Sequence, residues 1–194
     1  MSSPAEAARA AAAAIMADYT GGRHRGVIVD SPPGAGKTTL VVATARELAE
    51  AGERLMIVAQ TNEQVDDLVD RLAGKAPQVT VGRLHAEGFA PPPRVLRHPN
   101  VAVADKIDDL ADRAVVVATA DKWAWAPRRQ GWRWAIVDEA YQMRSDKLLC
   151  VAPLFADGHA LFVGDPGQLD PFSVIDSERW AGLAWDPMQS AVAV

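Results

Sequence analysis

The chain has 194 residues, enough for one domain with a substantial core; 49% are hydrophobic and 23% charged, ordinary values for a globular protein. A formal net charge of -5 argues against indiscriminate polyanion binding, although it leaves room for a local groove. Cys150 is the only cysteine, which excludes an internal disulfide and points to a reducing compartment.

In chain order, AEAARAAAAAIMADY is predicted to form a surface helix over 5–18. Glu6, Arg9 and the closing Asp18, with alanines in place of leucines, set it apart from a signal peptide. The later apolar runs are strand-length, too short to span a membrane, and the reading is of a cytoplasmic chain. Buried strands are predicted at Val27–Asp30, Leu55–Ala59, Val79–Val81, Ala114–Ala118, Ala135–Val137 and Ala160–Val163. Rich in valine and isoleucine without strict alternation, they read as strands covered on both faces. Lys37–Ala51 and Glu63–Leu72 show helical spacing, the second with Val65, Leu68, Val69 and Leu72 on one stripe. The alternation predicts an α/β fold: a parallel sheet with helices on both faces. Glu87–Asn100, with three consecutive prolines, reads as a surface excursion that holds neither regular helix nor central strand. Asp105–Asp112 reads as a short helix. Residues 1–172 then form the domain, and 173–194, with Trp180, Trp185 and Pro187, form a tail that wraps back or begins a linker.

The stretch VDSPPGAGKTTL (Val29–Leu40) runs from a predicted strand into a predicted helix. That layout suits a nucleotide's phosphates, because a helix N-terminus offers unpaired N–H groups and the positive end of its dipole. Ser31, Pro32, Pro33, Gly34, Ala35, Gly36, Lys37, Thr38 and Thr39 are the expected phosphate-binding set. Lys37 is placed to reach the outer phosphates, and Thr38 offers its hydroxyl to Mg²⁺. The pattern G-x-x-x-x-G-K-[ST] wants glycine where Ser31 stands. Serine serves if its φ stays negative, and Pro32 and Pro33 stiffen the turn.

Two further strand ends carry polar chemistry. RWAIVDEAYQM (Arg133–Met143) ends an apolar strand in Asp138 and Glu139, where parallel sheets bind ligands. Asp138 would hold Mg²⁺, and Glu139 would orient and deprotonate the water attacking a γ-phosphate. ALFVGDPGQLDP (Ala160–Pro171) places Gln168 to hydrogen-bond the γ-phosphate, with Asp165 tying its loop to the sheet.

The order and spacing of these segments resemble the first RecA-like motor domain of a superfamily 1 helicase, in the 5′-to-3′ branch whose motifs read GPPGTGKT, DEAxQ and GDxxQLPP. Here they read SPPGAGKT (Ser31–Thr38), DEAYQ (Asp138–Gln142) and GDPGQLDP (Gly164–Pro171). IVAQTNEQVDDLVDRL (Ile57–Leu72) and VVVATADKW (Val115–Trp123) resemble the family's nucleic-acid-contacting motifs around Thr61 and Thr119. The resemblance implies a P-loop NTPase fold, ATP and Mg²⁺ as ligands, and single-stranded DNA or RNA as the track. It carries the family roles onto Lys37, Thr38, Asp138, Glu139 and Gln168, and puts Gln142 near the γ-phosphate. Ser31 and Asp170 depart from the motifs, and residues 1–26 hold no glutamine to read an adenine. The arginine finger would come from a second RecA-like domain or a partner subunit, so hydrolysis by this segment alone is expected to be slow.

Thr61, Asn62, Thr119 and Lys122 are the candidate nucleic-acid contacts. Asn62 is also a good N-cap, an explanation that needs no ligand. DKWAWAPRRQGWRW (Asp121–Trp134) interleaves four tryptophans with Lys122, Arg128, Arg129 and Arg133. Trp134 is expected to pack at the start of the acidic strand, while Trp123 and Trp125 stand open between packing and base stacking. His24, His85, His98 and His159 show no metal-ligand spacing. The rival readings are a regulatory P-loop ATPase that binds a protein partner, and a structural nucleotide-binding module.

Overall fold

The computed structural model describes residues 3–128, 131–168, 178–183, 186 and 188–192. Helices α1 (Pro4–Thr20), α2 (Lys37–Glu50), α3 (Asn62–Lys75), α4 (Pro93–Leu96), α5 (Ala120–Ala124) and α6 (Ser145–Val151) alternate with the strands. The strands are β1 (Gly26–Asp30), β2 (Leu55–Ala59), β3 (Val81–Leu84), β4 (Val101–Ala104), β5 (Val115–Thr119), β6 (Trp134–Asp138) and β7 (His159–Gly164). They form one sheet, ordered β1-β7-β6-β2-β5-β3-β4, in which every pairing is parallel. No helix among the described residues is long and apolar enough to cross a membrane.

The sheet divides two cores. Leu55, Ile57, Val115, Val117, Trp134 and Ile136 face α2 and α3 on one side. Met56, Val58, Val116, Ala118, Ala135 and Val137 face Trp123, Trp132 and Val151 on the other. Because both faces are covered, β2 is apolar throughout and β5 and β6 are apolar up to their last residues, Thr119 and Asp138, the pattern that located them in the sequence.

Helix α1 begins with a reciprocal cap in which the Ser3 hydroxyl accepts from the Glu6 amide and the Glu6 carboxylate accepts from Ser3. Those bonds hold the Glu6 carboxyl below its ordinary value. The helix docks through Tyr19, wholly buried, whose hydroxyl donates to the Ala135 carbonyl at 2.7 Å and whose ring meets Trp134 edge-on. Its observed span contains the predicted 5–18.

Four expectations need correction. The strand expected at Val79–Val81 lies at Val81–Leu84, since Val79 belongs to the turn closed by its amide on the Ala76 carbonyl. Arg83 disguised that strand: it is fully buried, paired with Asp66 of α3 at 3.0 Å. Strand β4 had no counterpart in the sequence reading, being short and only half-buried beyond β3. Asp105–Asp112 forms only a single 3-10 turn, Ile107–Leu110. The excursion over 87–100 holds one helical turn, α4, whose Pro93 sits at the first helical position, where a missing N–H costs nothing.

The described part of the C-terminal tail returns to the domain. Ala191 donates to the Met143 carbonyl, the Ser145 amide donates to Gln189, and the Ser145 hydroxyl donates to the Asp186 carbonyl. The calls on Arg129, Asp170, Trp185 and Pro187 lie outside the described residues.

Candidate active site and adjoining groove

Strands β1, β7 and β6 lie side by side, and their C-terminal ends bring the three predicted segments together. Asp30 is in register with Gly164, and Asp138 with Val163. The loop leaving β1 is fastened to β7, the Ser31 amide donating to the Gly164 carbonyl at 2.9 Å. Glu139 is the one non-glycine residue with positive φ among the described residues, so Ser31 keeps a conformation open to any residue. Glycine's freedom is needed at Gly34 (φ 76°) and Gly36 (φ 94°), both present. Gly36 caps α2 with no side-chain hydrogen bond, which leaves the first amides of a 14-residue helix to an anion.

Lys37, the first residue of that helix, is largely buried. Its Nζ donates to the Ser31 carbonyl at 3.4 Å and lies 3.9 Å from Glu139 Oε1. Asp138 ends β6 with its Oδ1 buried and without a hydrogen-bond partner, and Glu139 Oε2 is in the same condition. Burial first, then the neighbouring Glu139 charge, push the Asp138 carboxyl up to about 6. An orphaned buried carboxylate oxygen beside a lysine and a helix N-terminus fits a divalent cation carried in by phosphates. Mg²⁺ takes one or two protein carboxylates and completes its shell with phosphate and water. No cluster of three His, Cys, Asp or Glu side chains exists among the described residues, and such a site does not need one.

Glu139 adopts the left-handed conformation (φ 50°, ψ 48°), a strain of about 1–3 kcal/mol that redirects the chain into the 3-10 turn Ala140–Gln142. Gln142 Nε2 donates to Gln168 Oε1 at 3.0 Å, joining the second predicted segment to the third. With its oxygen occupied, the Gln168 amide has its N–H groups left to donate. Asp165, expected to tie the Gln168 loop to the sheet, is buried and instead accepts from the Gly167 amide at 2.8 Å, a bond within the loop itself.

Several contributors went unnoticed in the sequence. Tyr141 donates its hydroxyl to Asp30 Oδ1 at 2.6 Å, tying the DEAYQ turn to the root of the phosphate loop; that bond holds the phenol above its ordinary pKa. Gly164 is required for space, since a Cβ there would lie 2.7 Å from the Tyr141 ring. Gln60 donates to the Asp138 carbonyl at 3.1 Å from the end of β2. Only Gly164 carried a signal in the sequence, as a glycine at a strand end; the others became visible through strand order.

A groove of about 560 Å³ opens farther along the same sheet edge, lined by Gln60, Thr61, Asn62, Thr119, Lys122 and Trp125 among others. Pairing of β2 with β5 sets Ala59 opposite Thr119, and this brings the four candidate nucleic-acid residues to one place. Their local roles differ from expectation in one respect. Thr61, and not Asn62, caps α3, exchanging hydrogen bonds with Gln64. Asn62 is the first helical residue, and its Oδ1 accepts from buried Arg83 at 2.9 Å. Thr119 caps α5, and Lys122 Nζ donates to the Asp105 carbonyl at 2.7 Å.

The model of the AAA domain family matches residues 8–176. The chain belongs to that family. Among curated relatives, the DNA replication ATP-dependent helicase/nuclease DNA2 of Mus musculus is 29% identical over 178 residues, covering 88% of this chain and 16% of the relative. Its namesake in Saccharomyces cerevisiae is 26% identical over 158 residues, 78% of this chain and 10% of the relative. The chain therefore spans a small fraction of the curated relatives it matches. The Sulfolobus solfataricus SWI2/SNF2 ATPase core in complex with dsDNA superposes with a TM-score of 0.61 at 10% identity, covering 95% of this chain and 35% of that one. The UvsW helicase from Bacteriophage T4 gives 0.56 at 13% identity, over 78% of this chain and 51% of that one. The chain is thus an AAA domain that shares its parallel-sheet fold with these ATPase and helicase structures.

Proposed function

We propose that the chain binds and hydrolyses Mg-ATP and couples turnover to movement on single-stranded nucleic acid. The observation that carries the reading is the convergence of Lys37, Asp138, Glu139, Gln142 and Gln168 at the ends of three adjacent strands, beside a groove on the same edge. The amides at the start of α2 cradle the phosphates, and Lys37 neutralises the outermost one. Thr38 and Asp138 would hold Mg²⁺, which would neutralise phosphate charge when bound. Glu139 orients the attacking water and takes its proton, while Gln168, steadied by Gln142, donates to the γ-phosphate. Ser31 through Thr39 enclose the remaining phosphate oxygens.

Residues 1–172 act as the ATP-binding domain, and residues 173–194 as its tail or the start of a linker. An arginine from a second RecA-like domain or a partner subunit completes the γ-phosphate site. Such a finger is typically worth about 10³–10⁵ in rate, so this segment alone turns over slowly. The relatives named for DNA replication support DNA as the track. Thr61, Asn62, Thr119 and Lys122 contact it. The lone, exposed Cys150 suits a reducing, cytoplasmic setting.

Calorimetry with Mg-ATP, followed by steady-state hydrolysis with and without oligonucleotides, tests the proposal. Lys37→Ala is expected to abolish Mg-ATP binding, and Glu139→Gln to bind but not turn over. Single strands should raise the turnover of the unmodified chain. If neither DNA nor RNA single strands do so, a nucleotide-dependent protein switch replaces the motor reading. Equal behaviour of Lys37→Ala and the unmodified chain would leave a structural module.

A further inference from the structure

The tryptophans left open by the sequence resolve into opposite roles. Two residues apart on a helical turn, Trp123 and Trp125 project about 200° apart, and they behave accordingly. Trp123 is wholly buried, its indole N–H donating to the Ile57 carbonyl at 2.9 Å and its ring meeting Trp132 edge-on. Trp125 is 87% exposed, while the next most exposed large apolar side chain among the described residues, Leu149, is at 60%. The anchoring of Trp123 fixes the short helix, and with it the place from which Trp125 projects.

That place is a ridge. Trp125 and Lys122 line both the main groove and a second cavity of about 200 Å³ that reaches Lys106 and Pro127. The groove's charge does not suit a plain phosphate track. Lys122 is the one cation among the described residues lining it, and its ammonium group is committed to the Asp105 carbonyl. Glu87 and Asp121 line the same groove, Asp121 paired with Lys147. An attachment built on ion pairing is therefore weak here, whereas a fully presented indole offers a π-face to any base.

We propose that Trp125 is a base-stacking platform: an unpaired base lies against its indole where the strand crosses the ridge between the two cavities. A base paired within a duplex has both faces covered, so the platform selects single strands. This inference rests on the groove being the nucleic-acid site.

The test is anisotropy of a labelled oligothymidylate, read against salt, for the unmodified chain, Trp125→Ala, Trp125→Phe and Lys122→Ala. Trp125→Ala is expected to weaken binding about 5- to 150-fold, with Trp125→Phe restoring most of the loss. Because indole carries no charge, Trp125→Ala should leave the slope of log affinity against log salt unchanged, whereas losing a phosphate contact lowers that slope by about 0.7. An oligonucleotide with abasic sites throughout should bind the unmodified chain and Trp125→Ala equally. Unaltered affinity in Trp125→Ala, or an equal loss on the abasic strand, overturns the stacking role and leaves the groove reading intact. Failure of the unmodified chain to bind any single strand overturns both.

Discussion

Asp138 is expected to weaken the fold it serves. Its carboxyl is raised from an ordinary 3.8 to about 6, chiefly by burial and then by the Glu139 charge. A group that holds its proton more tightly in the folded state stabilises the fold fully below its unfolded pKa. That contribution is lost as pH rises through the folded value, here about 6. At about 1.4 kcal/mol for each tenfold change in proton affinity, keeping this carboxylate ionised and buried at neutral pH costs about 3 kcal/mol. Asp138→Asn removes the charge while retaining one orphaned polar group, so its net gain is about 2 kcal/mol. For a domain of this size, that is a rise in melting temperature of about 4–8 °C. Thermal denaturation followed by circular dichroism, in EDTA, measures it directly. The advantage should be full near about pH 7.5 and vanish near about pH 4.5, where the unmodified carboxyl is largely protonated in the folded state and the remaining cost of its ionisation only offsets the orphaned amide. A variant no more stable than the parent at neutral pH, or a gap indifferent to pH, would refute the reasoning.

Four other substitutions probe separate parts of the structure. Asp66→Ala strands the buried Arg83 guanidinium, and chemical denaturation should show a loss of about 3–5 kcal/mol. Gly164→Ala drives a methyl group into the Tyr141 ring and displaces the turn bearing Gln142; hydrolysis should fall well before Mg-ATP affinity does, a split read by steady-state kinetics and calorimetry. Gln60→Ala removes the hydrogen bond from the groove wall to the Asp138 carbonyl and should lower strand-stimulated turnover about 2- to 10-fold, the worth of one such bond. Ser31→Gly should leave Mg-ATP affinity within about twofold and cost about 0.4–1 kcal/mol of stability through the added freedom of the unfolded loop.

What the sequence disclosed follows from how each signal is carried. Central strands such as Leu55–Ala59 were legible because burial on both faces demands uninterrupted apolar residues. Val81–Leu84 was misplaced because Gly82 and Arg83 break that rule, and the compensation, Asp66, sits in another element. The phosphate loop and Asp138–Glu139 were legible as local strings flanked by the right elements. Their union with Gln168, and the supporting bonds from Tyr141 and Gln60, depend on strand order, which no local string encodes. Trp123 and Trp125 show the same limit: composition named both, and only the docking of one short helix decided which faces inward.

The place of β1 in the sheet governs when the domain acquires its chemistry. Among the described residues, the strand that launches the phosphate loop has a single neighbour, β7, which is also the last strand of the sheet in chain order. On a ribosome adding about 5–20 residues per second, β1 waits roughly ten seconds for that neighbour to emerge. Strands β2 to β6 can assemble their shared core in the meantime, leaving the loop without the Gly164 carbonyl that fastens it. The phosphate loop is thus expected to be among the last parts of the nascent domain to take its final shape.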